Sequence, residues 1–237
     1  MRVLGGFATM VGTPDFSHAL ADEQLADAVL EQGINDVFIG ICAGALRRYL
    51  SEFHEVPQES LVAGTPVSVR RAGDGRGNAV AMVIAKLFTD IADPIDRIKL
   101  VSRSTTLAKQ KFYDLPQVVG DYYGVLTNGP FILQNIIGIA GRSRPPFNLV
   151  MSNVPGPLEP LYLCGARVQE TYPISLLAHG QALNITVLSS AGRFNVGFVG
   201  CRDRLPHMQR LAVYTGEALD EIEAMLGLVV PELQEAK

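Results

Sequence analysis

The chain has 237 residues, 48% apolar and 19% charged, with a formal net charge of −4. That balance suits a compact protein with a substantial core and argues against disorder. The mild negative charge, with no basic run beyond pairs such as Arg47-Arg48 and Arg70-Arg71, argues against nucleic acid as a partner.

Residues Met1 to Met10 are short and broken by glycine, unlike a secretory signal. Residues 1–20 form an unassigned opening segment, and 21–237 read as one domain without internal repeat or low-complexity linker. Asp22 to Glu31 reads as a helix ended by Gly33. A second helix is expected from Asn35, a suitable N-cap. Its apolar residues Val37, Phe38, Ile41, Cys42, Ala45, Leu46 and Tyr49 recur at three-to-four spacing. Leu61 to Val69 reads as a strand leading into the loop Arg71 to Gly77. The continuous apolar run from Ala79 to Phe88 predicts a strand buried on both faces. Asp93 is placed to cap a helix from Ile95 to about Lys111, with Pro94 at its first position. Irregular helices are expected over 115–141.

Within that region Gly129 to Ala140 is the most lipid-like stretch, but Gln134 and Asn135 interrupt it, and a span needs about 20 apolar residues. A core helix is the first expectation there, with an acyl-chain channel or contact with a lipid surface as competitors. The last third turns to strands: Phe147 to Val154, Arg167 to Tyr172, and a hairpin of Asn184–Ser189 with Phe194–Val199 across Ser190-Ala-Gly-Arg193. Pro206 to Leu226 closes as an amphipathic helix with Met208, Leu211, Ala212, Leu219 and Ile222 inward. These elements indicate an α/β fold, a layered αβ sandwich.

Three separated cysteines, Cys42, Cys164 and Cys201, lack Cys-x-x-Cys spacing and a neighbouring His pair, so no metal site or disulfide framework is expected. Buried reduced thiols in a cytosolic protein are the plain reading. The four histidines, His18, His54, His179 and His207, are isolated. His179 lies just ahead of Asn184 and is the weak candidate for a base, against the plainer reading of a loop residue. Asn35 and Asp36 suit either a helix start, as cap and as favourable charge, or a site. Ser152 and Asn153 close a strand, where ligands commonly meet α/β sheets, although the following Pro155-Gly-Pro157 also makes a rigid turn. Asn184 points opposite to Leu183 and Ile185 in a regular strand, toward a site or toward solvent. Gly77-Asn78 is a turn, since no Gly-Lys-Ser/Thr follows to make a phosphate loop.

Several blocks then share one order: Gly33-Ile-Asn-Asp-Val37, Cys42-Ala-Gly-Ala-Leu-Arg-Arg-Tyr-Leu50, Thr65-Pro-Val-Ser-Val-Arg70, Met151-Ser-Asn-Val-Pro-Gly-Pro157, Leu161-Tyr-Leu-Cys-Gly-Ala166, Tyr172-Pro173 and Ala182-Leu-Asn-Ile-Thr186. Together, from about Gly33 to Leu226, they resemble the carboxy-terminal half of the bacterial wax ester synthase/diacylglycerol acyltransferase family. The resemblance implies a lobe of the coenzyme-A-dependent acyltransferase fold, like that of chloramphenicol acetyltransferase, in which two αβ halves face each other across a tunnel. It implies transfer of a long-chain acyl group from acyl-CoA, as substrate with no bound cofactor, to diacylglycerol or a fatty alcohol. It also implies that Asn35, Asp36, Ser152, Asn153 and Asn184 line the tunnel. In that family a histidine of His-His-x-x-x-Asp-Gly removes the hydroxyl proton, a role that contributes about 10²–10⁴-fold. No two histidines are adjacent here.

The expectation is therefore a half enzyme whose partner is a missing amino-terminal lobe or a second copy. It would be cytoplasmic, with contact at a membrane or lipid droplet as an extension. Half of a two-lobed fold should expose the face meant for the other lobe and self-associate. The alternative is a non-catalytic module of the same descent that binds lipid, acyl-CoA or a partner.

Overall fold

Gly33, at φ +80°, turns the chain so that Ile34 is already helical, a conformation glycine takes without steric cost. The computed structural model describes residues 7–11, 33–68, 80–114, 129–130, 132–139, 141, 145–191 and 193–226. Helix α1 spans Ile34–Phe53. Asn35 is thus inside the helix and is not its N-cap; the cap position falls on Gly33, which offers no side-chain bond. The apolar stripe behaves as its spacing predicts, and each of Val37, Phe38, Ile41, Cys42, Ala45, Leu46 and Tyr49 is at most 4% exposed.

Strands β1 (Phe7–Val11), β2 (Val62–Ser68), β3 (Val80–Lys86) and β4 (Leu149–Val154) are followed by the short β5 (Tyr162–Leu163) and β6 (Ala166–Arg167), then β7 (Leu183–Ser190) and β8 (Arg193–Cys201). Six of them form one sheet in the order β1-β8-β7-β4-β2-β3. The inner pairs β2–β4 and β4–β7 are parallel and the outer pairs antiparallel. The opening segment, unassigned from sequence, supplies edge strand β1. The helix expected over 22–31, the loop 71–77 and Asn78 lie outside the described residues.

Helices α2 (Pro94–Tyr113) and α3 (Arg210–Leu226) join α1 in a layer on one side of the sheet. Asp93 caps α2 as expected, its Oδ1 accepting from Asp96 N at 2.8 Å. Between the layers, Ile98, Val101, Leu211, Ala218 and Ile222 meet Ala63, Leu149, Met151, Ile185, Val187, Val196 and Phe198. Cys42 is sealed in this core, and burial pushes its thiol far above the ordinary cysteine range.

Several expectations need correction. β3 is not buried on both faces: Ala81, Val83 and Ala85 point inward, while Ile84 and Lys86 are exposed. The cause is position, since β3 is an edge strand with a helix on one side only. Of Arg167 to Tyr172, only Arg167 is in a strand, because β6 pairs with β5 in a small exposed hairpin away from the sheet. Only Cys42 is a buried thiol; Cys164 is exposed in the turn of that hairpin at φ +51°, and Cys201 is half-buried at the end of β8. α3 begins at Arg210 and not at Pro206, because 202–209 form turns with His207 at φ +60°. Residues 132–136 are helical, but Ile132, Leu133, Ile136 and Ile137 are 54–76% exposed, so this stretch is not core. Apolar composition shows what a surface would bury, not whether this part of the chain supplies the cover.

Candidate functional site

Strand register fixes which side chains share the sheet face opposite the helices. Ser152 lies beside Thr186, Val150 beside Asn184, Val199 beside Asn184 and Asn195 beside Leu188. Side chains alternate along a strand, and 183, 185 and 187 belong to the core. Asn184, Thr186, Ser152 and Asn195 therefore face away from it.

This second face mixes polar and apolar groups and is largely buried: Asn184 is 6%, Thr186 3%, Asn195 1% and Val199 4% exposed, with Ser152 half-buried. Part of the cover comes from two stretches of the chain between β4 and β7, around Gly156-Pro157 and around Pro173–Ser175. The carbonyl oxygen of Pro173 stands 1.9 Å from where a Cβ on Gly197 would sit, so only glycine lets the chain lie down there. At the first stretch, Gly156 N donates to Ser189 Oγ (3.1 Å) and Ala191 N donates to Pro157 O (2.9 Å). The Asn-Val-Pro-Gly-Pro block thereby fastens this stretch to the β7–β8 hairpin.

Where the second stretch crosses β7, Ser175 Oγ lies 2.8 Å from Thr186 Oγ1, and Thr186 Oγ1 donates to Asn184 Oδ1 at 2.8 Å. A hydroxyl has one proton, so Ser175 is the donor to Thr186. The relay fixes the Asn184 amide with its oxygen occupied. The buried Nδ2 of Asn195 has no partner among the described residues. Unmatched buried donors cost about 1–3 kcal/mol each, a cost that a ligand acceptor would remove.

The candidate residues fall in three places. Ser152 and Asn184 share the polar face, two positions apart in the register. Asn153, beside Val187, lies on the helix side by strand alternation. Asn35 and Asp36 sit at the junction of α1 and α2, with Asp36 3% exposed. Asn35 Nδ2 donates to Asp36 Oδ1 (3.4 Å), Ser102 Oγ donates to Asp36 Oδ2 (3.2 Å) and Lys109 Nζ is 3.7 Å from Oδ1. Asp36 thus ties two helices together. His179 is exposed in a turn where Gln181 N donates to Ala178 O (3.1 Å). His54 packs its ring 5.8 Å from Tyr49, and His207 stacks 5.0 Å from Phe53. None of these three rings is hydrogen-bonded among the described residues, so none has the oriented partner a general base needs. His18 lies outside the described residues.

Sequence reading missed Ser175, Thr186 and Asn195. Thr186 and Asn184 had a signal, polar residues alternating with Leu183, Ile185 and Val187. Ser175 had none, because its place depends on how the covering stretch crosses the sheet. Among the described residues no group of His, Cys, Asp and Glu is placed to hold a metal. Among them, too, no helix is long and apolar enough to cross a membrane.

A mixed α/β sheet with helices on one face and a covered polar face on the other has the architecture of the coenzyme-A-dependent acyltransferase and condensation-domain class. Within that class, residues 76–223 match the family described as the WS/DGAT C-terminal domain, and the chain belongs to it. It is 49% identical over 198 residues to a Mycobacterium tuberculosis (H37Rv) protein whose name assigns it to the diacylglycerol O-acyltransferases, covering 82% of this chain and 40% of that protein. It is 39% identical over 193 residues to the O-acyltransferase WSD of Acinetobacter baylyi, covering 81% and 42%. The structure of the wax ester synthase/diacylglycerol acyltransferase from Marinobacter aquaeolei VT8 superposes with a TM-score of 0.76 at 31% identity, over 94% of this chain and 49% of that one. An epimerization domain of tyrocidine synthetase, at TM-score 0.54 and 14% identity, shares the fold alone. The chain spans less than half the length of these relatives.

Proposed function

We propose that this chain is the carboxy-terminal lobe of an O-acyltransferase that moves a long-chain acyl group from acyl-CoA to diacylglycerol or a fatty alcohol. The observation that carries the reading is the Ser175–Thr186–Asn184 relay, which holds an amide donor on the covered polar face. When the alcohol oxygen attacks the thioester carbon, charge builds on the carbonyl oxygen. An amide fixed beforehand meets that charge without reorganising, an effect that reaches about 10²–10³-fold per donor. Ser152 belongs to the same face, whereas Asn35, Asp36 and Asn153 lie on the helix side of the sheet, apart from the relay.

The general base comes from a second lobe carrying His-His-x-x-x-Asp-Gly. The exposed Ile132, Leu133, Ile136 and Ile137 fit contact with that lobe or with a lipid surface in the cytoplasm. Ile136→Glu separates these: loss of vesicle binding with lobe association intact assigns the patch to lipid, and the converse to the lobe. No bound cofactor is required, since acyl-CoA is consumed as substrate.

The alternative, a non-catalytic lipid- or acyl-CoA-binding module, is favoured by the unpartnered histidine rings. Coenzyme A release from palmitoyl-CoA, measured with and without diacylglycerol or hexadecanol, decides between them. Alcohol-dependent release on adding a lobe with the histidine motif is expected. Absence of release from that assembled pair, with both parts folded, sinks the enzyme reading and leaves the module.

A further inference from the structure

The pair Arg47-Arg48, singled out in the sequence, is not used by the polar face. It lies on the helix layer, in a cavity of about 480 Å³ lined by α1, α3 and the start of α2. The charges there do not all pair with one another. Arg48 holds Glu217 (3.3 Å) and Glu221 (2.7 Å), and Arg210 holds Glu52 (3.2 Å), which also accepts from Tyr214. Arg48 thus faces two carboxylates, and the three glutamates and three arginines that line the cavity balance in formal charge.

Arg47 and Arg97 are not matched in this way. Arg47 Nη1 donates to the carbonyls of Thr89 (2.8 Å) and Asp90 (3.2 Å). Arg97 Nη1 donates to those of Ile91 (2.9 Å) and Ala92 (3.2 Å). Two guanidiniums thus grip one loop by its carbonyls, and neither has an ion-pair partner among the described residues. Arg97 is 2% exposed, and its buried Nε has no hydrogen-bond partner. Its Nη2 lies 2.8 Å from where a Cβ on Gly44 would stand, so the missing side chain at 44 leaves room for the guanidinium. Burial lowers the Arg97 pKa; Glu221 and Asp93 act in the opposite sense, and Arg47 and Arg48 add like charge. A buried guanidinium stays charged, with Glu221 as its foremost opposing charge and its Nε still without a hydrogen-bond partner among the described residues.

We infer that this cavity is a binding site for a phosphate group, held by Arg97 and Arg47. Both guanidiniums line the cavity with their Nη1 groups spent on the loop, and Arg97 keeps an unpartnered Nε; guanidinium N–H groups suit phosphate oxygens. The volume exceeds a bare ion, so the phosphate is carried on a larger molecule. The site lies on the helix layer, on the other side of the sheet from the polar face. It is independent of the acyl-transfer reading, and its test reads binding alone.

The test is thermal unfolding in sodium phosphate against sodium chloride at equal ionic strength, which removes general screening. At tenfold Kd the wild-type midpoint is expected to rise by on the order of 3–5 °C. Arg97→Met and Arg47→Met should abolish the rise, and Glu217→Gln, which releases Arg48, should enlarge it. Arg47→Met keeps the test decisive if Arg97→Met does not fold. No rise in the wild type, or an equal rise in Arg47→Met, overturns the inference. Once the rise is seen, adenosine 3′,5′-bisphosphate and phosphatidic acid vesicles at equal phosphate tell a nucleotide source from a lipid headgroup by the larger shift.

Discussion

On the helix side of the sheet, Leu149, Met151, Ile185, Val187, Val196 and Phe198 are each at most 2% exposed and entirely apolar. On the opposite side Asn184, Thr186 and Asn195 are nearly as buried, yet they are polar, and part of their cover is irregular chain between β4 and β7 instead of helices. Equal burial has different causes on the two faces. The first face is closed because burying apolar area stabilises the fold by about 25 cal/mol per Å². The second costs stability wherever a donor lacks an acceptor, as at Asn195 Nδ2. The helix side has such an atom too, Thr65 Oγ1 beside Val83, so the faces differ in the number of polar groups they bury and not in kind.

Substitutions on the two faces should separate these causes. Phe198→Ala, in the apolar interface, is expected to lower unfolding free energy by about 3–5 kcal/mol in urea titration. Asn184→Ala should change stability far less but lower kcat/KM of the assembled enzyme about 10²–10³-fold, equivalent to about 2.7–4 kcal/mol of transition-state stabilisation. If Asn184→Ala destabilises as Phe198→Ala does and leaves kcat/KM unchanged, the two faces are alike and the contrast fails. Thr186→Val keeps the shape but breaks the relay, and about 1–3 kcal/mol of stability should go with it. Part of the Asn184→Ala loss of kcat should appear there too. Asp93→Ala, far from either face, should cost only about 1 kcal/mol, and Asp93→Asn should restore most of it.

Much of this arrangement was legible in the chain. The α1 stripe from Val37 to Tyr49, the Asp93-Pro94 helix start and the β7–β8 hairpin are local patterns, and local patterns survive folding. What failed depended on neighbours. The run 79–88 contains no mark of being an edge strand, and Ile136 carries no mark of lacking a cover. Gly33 outcompeted Asn35 for the helix start because a backbone turn was needed before a side-chain cap. In the candidate site, the alternation around Asn184 was readable, whereas Ser175 reaches Thr186 only through the path of the covering stretch.

The pairing of β1 with β8 sets a timing problem during synthesis. Phe7 lies beside Cys201 in the finished sheet, so β1 leaves the ribosome long before β8, its partner strand among the described residues, exists. At about 5–20 residues per second that wait is roughly 10–40 s. Throughout it, an unpaired edge is open to the wrong strand, including the same strand on a neighbouring nascent chain.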